Sequence, residues 1–356
     1  MDTIGARVRA AILSNGSLQK DVASAVGMTT DALSRALNGQ RGFSASELAA
    51  IARHLDADLH YLITGEADPH TLTVSARHAF DPDTRRRSAD GAEADRTVIN
   101  GVVLALRQAD LHTSPPELPR TPDEMANLLG QDFARDFINR LDALGINVIR
   151  IEDISTAYSF MADGRPVIVI RSTGNWFYEN WSLAHELGHL CLGHSGIVPG
   201  SAVVDAAEAA ANEFAAELLL PATALIDVDE SVVESAMAEL IWAYGVSTEA
   251  MRNRLENLDR PVSGSVQALL LKNTQRALRH HWIWGADDPI TERMTEASAR
   301  RFPQSWIEGH LARIAQGTLH KDTLAWMLGV ASEALEVEEP PSTGPTDTAD
   351  LADLLG

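Results

Sequence analysis

Two histidines and a glutamate set in a strongly apolar stretch constrain the fold of this chain more than any other feature. Residues 182–194 read Ser-Leu-Ala-His-Glu-Leu-Gly-His-Leu-Cys-Leu-Gly-His, and Trp181, Leu183, Leu187, Leu190 and Leu192 make the segment a buried helix. Three polar groups in such a helix are costly unless each finds a partner. His185 and His189 are four residues apart, so both imidazoles project from one helical face and can share a tetrahedral ion about 2.0–2.1 Å from each nitrogen. Glu186 sits beside the first of them, where it can hold and deprotonate a metal-bound water. The pattern H-E-x-x-H therefore reads as the ligand pair and general base of a zinc peptidase.

A pattern of three fixed residues arises by chance in roughly one or two chains per hundred of this length, so the rest of the chain must support it. A catalytic zinc keeps three protein ligands and an open fourth position. Residues 205–221, Asp-Ala-Ala-Glu-Ala-Ala-Ala-Asn-Glu-Phe-Ala-Ala-Glu-Leu-Leu-Leu-Pro, form an alanine-rich helix closed by Pro221. Glu208, Asn212 and Ala215 share a face of it whose small neighbours allow close approach to another helix. Glu208 can ligate the metal there, with Asn212 orienting an imidazole from behind. Glu213, Glu217 and His194 compete for the third position. His194 is the weakest by geometry, because Gly193 ends the helix and a continued helix would carry residue 194 off the histidine face. Glu213 and Glu217 form an i,i+4 pair on another face, which reads as a solvated or partner-facing edge.

Three segments in order, Gly164-Arg-Pro-Val-Ile-Val-Ile170, Trp181-Ser-Leu-Ala-His-Glu-Leu-Gly-His-Leu190 and Glu208-Ala-Ala-Ala-Asn212 through Pro221, resemble the ImmA/IrrE metallopeptidases over roughly residues 96–260. That resemblance implies a gluzincin-type zinc site, in which the third ligand is a Glu four residues before an Asn or Asp. His185, His189 and Glu208 then correspond to the metal ligands, Glu186 to the general base and Asn212 to the supporting residue. It also implies one zinc per chain and a protein substrate, a helix-turn-helix repressor cleaved under stress or mobile-element control. The chain departs at Glu179-Asn180, where many members carry a basic residue, so the resemblance leaves the charge of the substrate groove open.

Residues 3–13, 18–26, 30–37, 45–55 and 59–63 each suit a compact helix. Gly27 supplies a sharp turn, and Thr29 and Ser44 are N-caps. Five short helices with such a turn match the helix-turn-helix plan. The phrase from Gln19 through Ala23, Gly27 and Arg35 to Gly39 resembles the XRE, or Cro/C1-type, DNA-binding domains. Gln19, Thr30, Ser34, Arg35, Asn38 and Arg41 are the candidates for its groove-facing side. Residues 1–65 hold six basic side chains (Arg7, Arg9, Lys20, Arg35, Arg41, Arg53) against six acidic ones (Asp2, Asp21, Asp31, Glu47, Asp56, Asp58). Affinity for DNA comes largely from neutralised phosphates, so a net charge of zero leaves DNA binding and protein contact both open.

The whole chain carries a formal charge of -21, which excludes a general polyanion binder and suits a soluble cytoplasmic protein. Its start has no signal-peptide pattern and no apolar run reaches membrane-spanning length. Cys191, the single cysteine, excludes an internal disulfide and reads as a small buried hydrophobe. Residues 81–96 are polar and read as an exposed linker, with Arg85-Arg86-Arg87 a solvated run. Helical patterns over 97–111 and 122–144 precede Val- and Ile-rich strands at 147–151 and 166–170, an α+β arrangement bracing the metal helix. A helical pair follows at 232–244 and 248–258, with Gly245 between and Ser247 as cap. Residues 265–336 are helical, with Trp282, Trp284, Trp306 and Trp326 as core. From Val337 the composition is that of a disordered acidic tail, with a short helix at 351–355.

The expected organisation is multidomain and mainly α. It comprises an all-α helix-turn-helix domain (1–66), a linker (67–95), an α+β zincin-like, gluzincin-type peptidase domain (96–230), a helix-turn-helix-like pair (231–262), a helical C-terminal domain (263–336) and the tail (337–356). The expected function is a zinc-dependent endopeptidase that regulates transcription by cleaving a helix-turn-helix repressor. Expected partners are that protein substrate and DNA but no membrane, and a homodimer is admitted. Two rivals stand beside it: a DNA-binding regulator whose metal fold is a sensor or scaffold, and an antitoxin-like or phage-defence module that binds a protein.

Overall fold

The computed structural model describes residues 3–55, 57, 59–65, 74–76, 79–81, 86–88, 92–111, 117–194, 202–281 and 288–338. The chain forms two compact units, Met1–Leu72 and Thr73–Gly356. Trp282, Trp284, residues 339–356 and the short helix expected at 351–355 lie outside the described residues.

The first unit is five helices: α1 (Ile4–Ser14), α2 (Gln19–Ala25), α3 (Thr30–Leu37), α4 (Ala45–Leu55) and α5 (Leu59–Thr64). Their starts follow the capping chemistry. The Thr29 side chain accepts from Ala32 N, and Ser44 and Glu47 form a reciprocal capping box, Glu47 N donating to Ser44 Oγ and Ser44 N to Glu47 Oε2. Gly27 turns the chain between α2 and α3 at φ +71°, a conformation only glycine adopts freely. Val8, Ile12, Val22, Leu33, Leu37, Leu48, Ile51 and Leu62 make the core.

In the second unit the segment expected as an exposed linker carries three short strands, β1 (Val74–Ala76), β2 (Ala79–Asp81) and β3 (Arg86–Ser88), before α6 (Ala92–Ala109). β2 and β3 pair with each other, so Arg86 and Arg87 belong to a ribbon. The single helix expected over 122–144 is two, α7 (Pro122–Leu129) and α8 (Phe137–Ala143). The break lies where Gly130 takes φ +79° and Asp132 φ +54°, outside the right-handed helical region.

The main strands are β4 (Asn147–Ile151), β5 (Tyr158–Ala162) and β6 (Arg165–Arg171). The sheet order is β1-β5-β6-β4, with β6 parallel to β4 and antiparallel to β5. Asp163 and Gly164, both at positive φ, join β5 to β6 in a two-residue hairpin. Both faces of this sheet are covered, which is why β6 carries the unbroken run Val167–Ile170 and β4 holds Val148, Ile149 and Ile151.

Against β5 and β6 lies α9 (Trp176–Leu192), with α10 (Ala202–Leu219) packed along it. Then come α11 (Glu234–Ala243), α12 (Thr248–Asn257), α13 (Gly264–Leu270), α14 (Thr274–His280), α15 (Pro289–Ser298), α16 (Gln304–Ala315) and α17 (Asp322–Leu328). The last helices are integral to this unit. α15 packs on α9, α16 and α17 pack on α6, and Arg301 exchanges backbone hydrogen bonds with Arg150 of β4 at 2.8 and 2.9 Å. Trp306 is fully buried, its indole N–H donating to Asn147 Oδ1, and Trp326 stacks edge-on against Phe302.

Candidate metal centre

Helix α9 begins where the Asn175 side chain accepts from Tyr178 N and ends at Gly193, in the left-handed region at φ +69°. Gly188 lets α10 approach closely: a Cβ there would stand 3.1 Å from the Phe214 Cβ and 3.2 Å from the Ala211 carbonyl. The contact brings Glu208 opposite the histidine face of α9. His185 Nε2 lies 3.2 Å from His189 Nε2 and 3.3 Å from Glu208 Oε2, and His189 Nε2 lies 3.6 Å from Glu208 Oε1.

Ligand atoms about 2.0–2.1 Å from a tetrahedral ion stand about 3.3–3.4 Å apart, so this donor set fits a zinc-sized cation. Among the described residues it is the one cluster of three or more His, Cys, Asp or Glu that could hold a metal. All three are buried, at 1%, 5% and 2% exposure. Burial works against ionisation of Glu208, but hydrogen bonds and charge from His185 and His189 outweigh it and hold the carboxyl well below the usual carboxylate range.

The ring nitrogens facing away from this convergence are also engaged. His185 Nδ1 lies 3.0 Å from Asn212 Oδ1, an arrangement in which Nδ1–H donates and Nε2 is left for the metal. His189 Nδ1 lies 3.2 Å from His194 Nδ1. His194 is thus behind His189, outside the three-ligand cluster. Gly193 does more than stop the helix: His194 N donates to His189 O across the left-handed turn, which carries the chain back over its own last turn. Burial, reinforced by His189, lowers the pKa of His194.

Glu186 is completely buried. Its Oε2 accepts from Ser159 Oγ of β5 at 2.6 Å, while its Oε1 has no hydrogen-bond partner among the described residues. Ser159 escapes sequence reading because nothing local marks it as different from any strand serine. The Asp163-Gly164 turn was the available signal for its strand. Next to it, Tyr158 is committed elsewhere: its hydroxyl donates to Asp95 Oδ2 at 2.6 Å, and burial with that carboxylate pushes its pKa up.

The rival third ligands sit apart. Glu213 is exposed, and Glu217 pairs with Arg254 and accepts from Ala222 N. Glu179 and Asn180, the two positions of the departure, are both buried and held within the fold. Glu179 pairs with Arg150, and the Asn180 amide donates to Ala134 O and Gly245 O. Cys191 is buried, which pushes its thiol up to about 12 and leaves it inert.

Residues 141–256, which include both histidines, Glu186, Glu208 and Asn212, match the family model of the IrrE N-terminal-like domain, peptidase M78. This stretch is similar to IrrE N-terminal-like domains. Residues 8–62 match a helix-turn-helix family model. Comparison with curated proteins and with solved structures found no match. The two models fit a DNA-binding regulator joined to a protease-like domain.

In the helix-turn-helix unit Thr30, Arg35 and Asn38 are exposed on α3 and just after it, with Gln19, Ser34 and Arg41 partly covered. Several of its cations are engaged within the fold. Arg7 is buried on the carbonyls of Leu62 and Ile63, Arg9 donates to Asn38 Oδ1, and Arg41 holds Glu47 through both carboxylate oxygens. No hydrogen bond or ion pair is described for the side chains of Lys20, Arg35 and Arg53, and Arg35 is the one among them on α3. No helix among the described residues is long and apolar enough to cross a membrane.

Proposed function

We propose that this protein is a zinc-dependent endopeptidase that regulates transcription by cleaving a helix-turn-helix repressor. The observation that carries the proposal is Glu186. A buried carboxylate with one oxygen held by Ser159 and the other unpartnered, one residue from the His185/His189/Glu208 cluster, has no structural use that would justify its burial. A purely structural zinc site needs no base.

His185, His189 and Glu208 hold the ion, with Asn212 and His194 fixing the two rings from behind. Bound there, zinc supplies Lewis acidity toward a water and a peptide carbonyl. Ser159 orients the Glu186 carboxylate, whose Oε1 takes the proton of the attacking water and passes it to the leaving amide nitrogen. The repressor substrate, and stress or a mobile element as the signal, rest on the family resemblance and on the presence of a helix-turn-helix unit in the same chain.

Metal analysis tests the ligand assignment. Purified protein should carry about one equivalent of zinc, and Glu208→Ala should carry less than about half under the same dialysis, because a three-ligand site that loses one ligand no longer retains the ion. Full zinc occupancy in Glu208→Ala, or cleavage of candidate repressors unaffected by it, would sink the assignment.

The exposed face of α3 favours a second reading, a DNA-binding regulator in which the metal domain is a sensor or scaffold. Here Arg35→Ala should weaken binding to promoter DNA and reduce the slope of log K against log salt by about one, the loss of one phosphate contact. The slope of the unmodified domain should itself be shallow, since Arg7, Arg9 and Arg41 are held by intramolecular partners. Regulation that survives Glu186→Gln and is abolished by Arg35→Ala would decide for this reading against proteolysis.

A further inference from the structure

Strand β5 stands beside the candidate base and carries an edge that an extended peptide could pair with. Ser159, in the middle of β5, donates to Glu186 Oε2 at 2.6 Å, so the backbone of β5 runs within one side chain of the buried carboxylate. On one side β5 pairs with β6. On the other it pairs antiparallel with Val74–Ala76, in the register Val74↔Phe160, Ser75↔Ser159 and Ala76↔Tyr158. The residue directly opposite Ser159 is therefore Ser75, on a segment that begins two residues after the first compact unit ends at Leu72.

A strand edge with open N–H and C=O groups is the usual docking site for an extended peptide, which gains affinity from main-chain hydrogen bonds. Two edges of this sheet meet different treatment. At β4 the edge is met by the Arg150–Arg301 bridge, backed by the Arg301 side chain on Val148 O and Asp142. At β5 it is met, among the described residues, by Val74–Ala76, near the start of the second unit. The three pairs among the described residues are short against the usual five or six of a strand, and a peptide paired along all five residues of β5 would make more main-chain hydrogen bonds.

We propose that Val74–Ala76 is an internal competitor for the β5 edge, occupying in the intact chain the place of an extended peptide laid antiparallel along β5 beside Glu186. The proposal rests on the peptidase reading for what that peptide is, a substrate, but the pairing itself does not depend on zinc or on hydrolysis. Access to the site is then governed by the segment that follows the helix-turn-helix unit, and whatever pulls on that segment opens the edge.

The test uses the full chain with Val74→Pro and Ser75→Pro together. Successive N–H groups of a strand point to opposite sides, so one of the two prolines removes a donor aimed at β5 whichever way the strand is turned. A fluorescein-labelled peptide spanning residues 71–77, Thr-Leu-Thr-Val-Ser-Ala-Arg, is titrated by anisotropy against both chains. The double variant should bind it at least about tenfold more tightly than the unmodified chain, in which the edge is taken. Amides of residues 158–162 should exchange roughly tenfold faster in the variant and slow again when the peptide is added, with α9 protection unchanged as the check that the unit remains folded. Equal binding by the two chains, or β5 exchange untouched by the prolines, overturns the proposal. Failure of the zinc-loaded chain to cleave any repressor would count against the peptidase reading and leave this binding result standing.

Discussion

Glu186→Gln should leave zinc content and fold unchanged while lowering peptide cleavage by about 10²–10⁴-fold, the usual worth of a positioned general base. The substitution keeps shape and keeps an oxygen to accept from Ser159 Oγ, so the fold loses no packing and no hydrogen bond there. It removes a carboxylate that is completely buried and half unpartnered. Burying such a group is costly, and active sites are where chains retain that cost. The melting temperature of Glu186→Gln should accordingly match or exceed that of the unmodified protein. Metal analysis, thermal melting and cleavage of a repressor substrate, run on one preparation, separate this result from that of Glu208→Ala, where zinc and activity fall together. A Glu186→Gln protein that cleaves within about threefold of the unmodified rate would exclude this carboxylate as the base.

Much of the candidate site was legible because helical periodicity is local. The i,i+4 spacing of His185 and His189 requires only that residues 176–192 be helical, and Gly193 then marks the end. The same periodicity puts Glu208 and Asn212 on one face of α10, and the structure finds Glu208 beside both rings and Asn212 behind His185. The helix-turn-helix was equally readable, since Gly27, Thr29 and Ser44 act on neighbours three residues away or fewer.

What escaped reading depends on separation along the chain or on one turn. Ser159 meets Glu186 across 27 residues, through a strand whose five positions are buried except Met161 and so show no alternation. His194 was set aside as a third ligand and stands outside the cluster, but its place behind His189 was not foreseen, since it depends on the left-handed turn at Gly193. The pairing of Glu179 was also out of reach, because position along α9 says nothing of what faces it. Its partner, Arg150, is on a strand 29 residues earlier.

That pair supports the largest expected effect on stability. Arg150 Nε and Nη2 donate to the two Glu179 oxygens at 2.7 and 2.6 Å, and Nη1 donates to the carbonyls of Glu296 and Ala299. One guanidinium thereby ties β4 to α9 and to the end of α15, with both side chains less than a tenth exposed. Burial raises the Glu179 pKa and Arg150 opposes the rise, so removing Arg150 leaves a buried carboxylate without compensation. Arg150→Met should destabilise the unit by about 3–5 kcal/mol at neutral pH, the cost of breaking a buried pair on one side. The sign of the pH dependence follows from Glu179. Its folded pKa lies above its ordinary value, and further above in the variant, so the folded state takes up a proton before the unfolded chain does as pH falls. Stability is therefore lost as pH rises from the ordinary carboxylate range through the folded value, and the deficit of Arg150→Met should shrink on acidification. Denaturant unfolding at acid and alkaline pH measures this directly. Adding Glu179→Gln to Arg150→Met should restore much of the loss at neutral pH, because the uncompensated charge is then gone. A deficit that is independent of pH and unrelieved by Glu179→Gln would mean that Arg150 acts through its backbone-carbonyl contacts at Glu296 and Ala299, and that the ion pair between β4 and α9 contributes nothing.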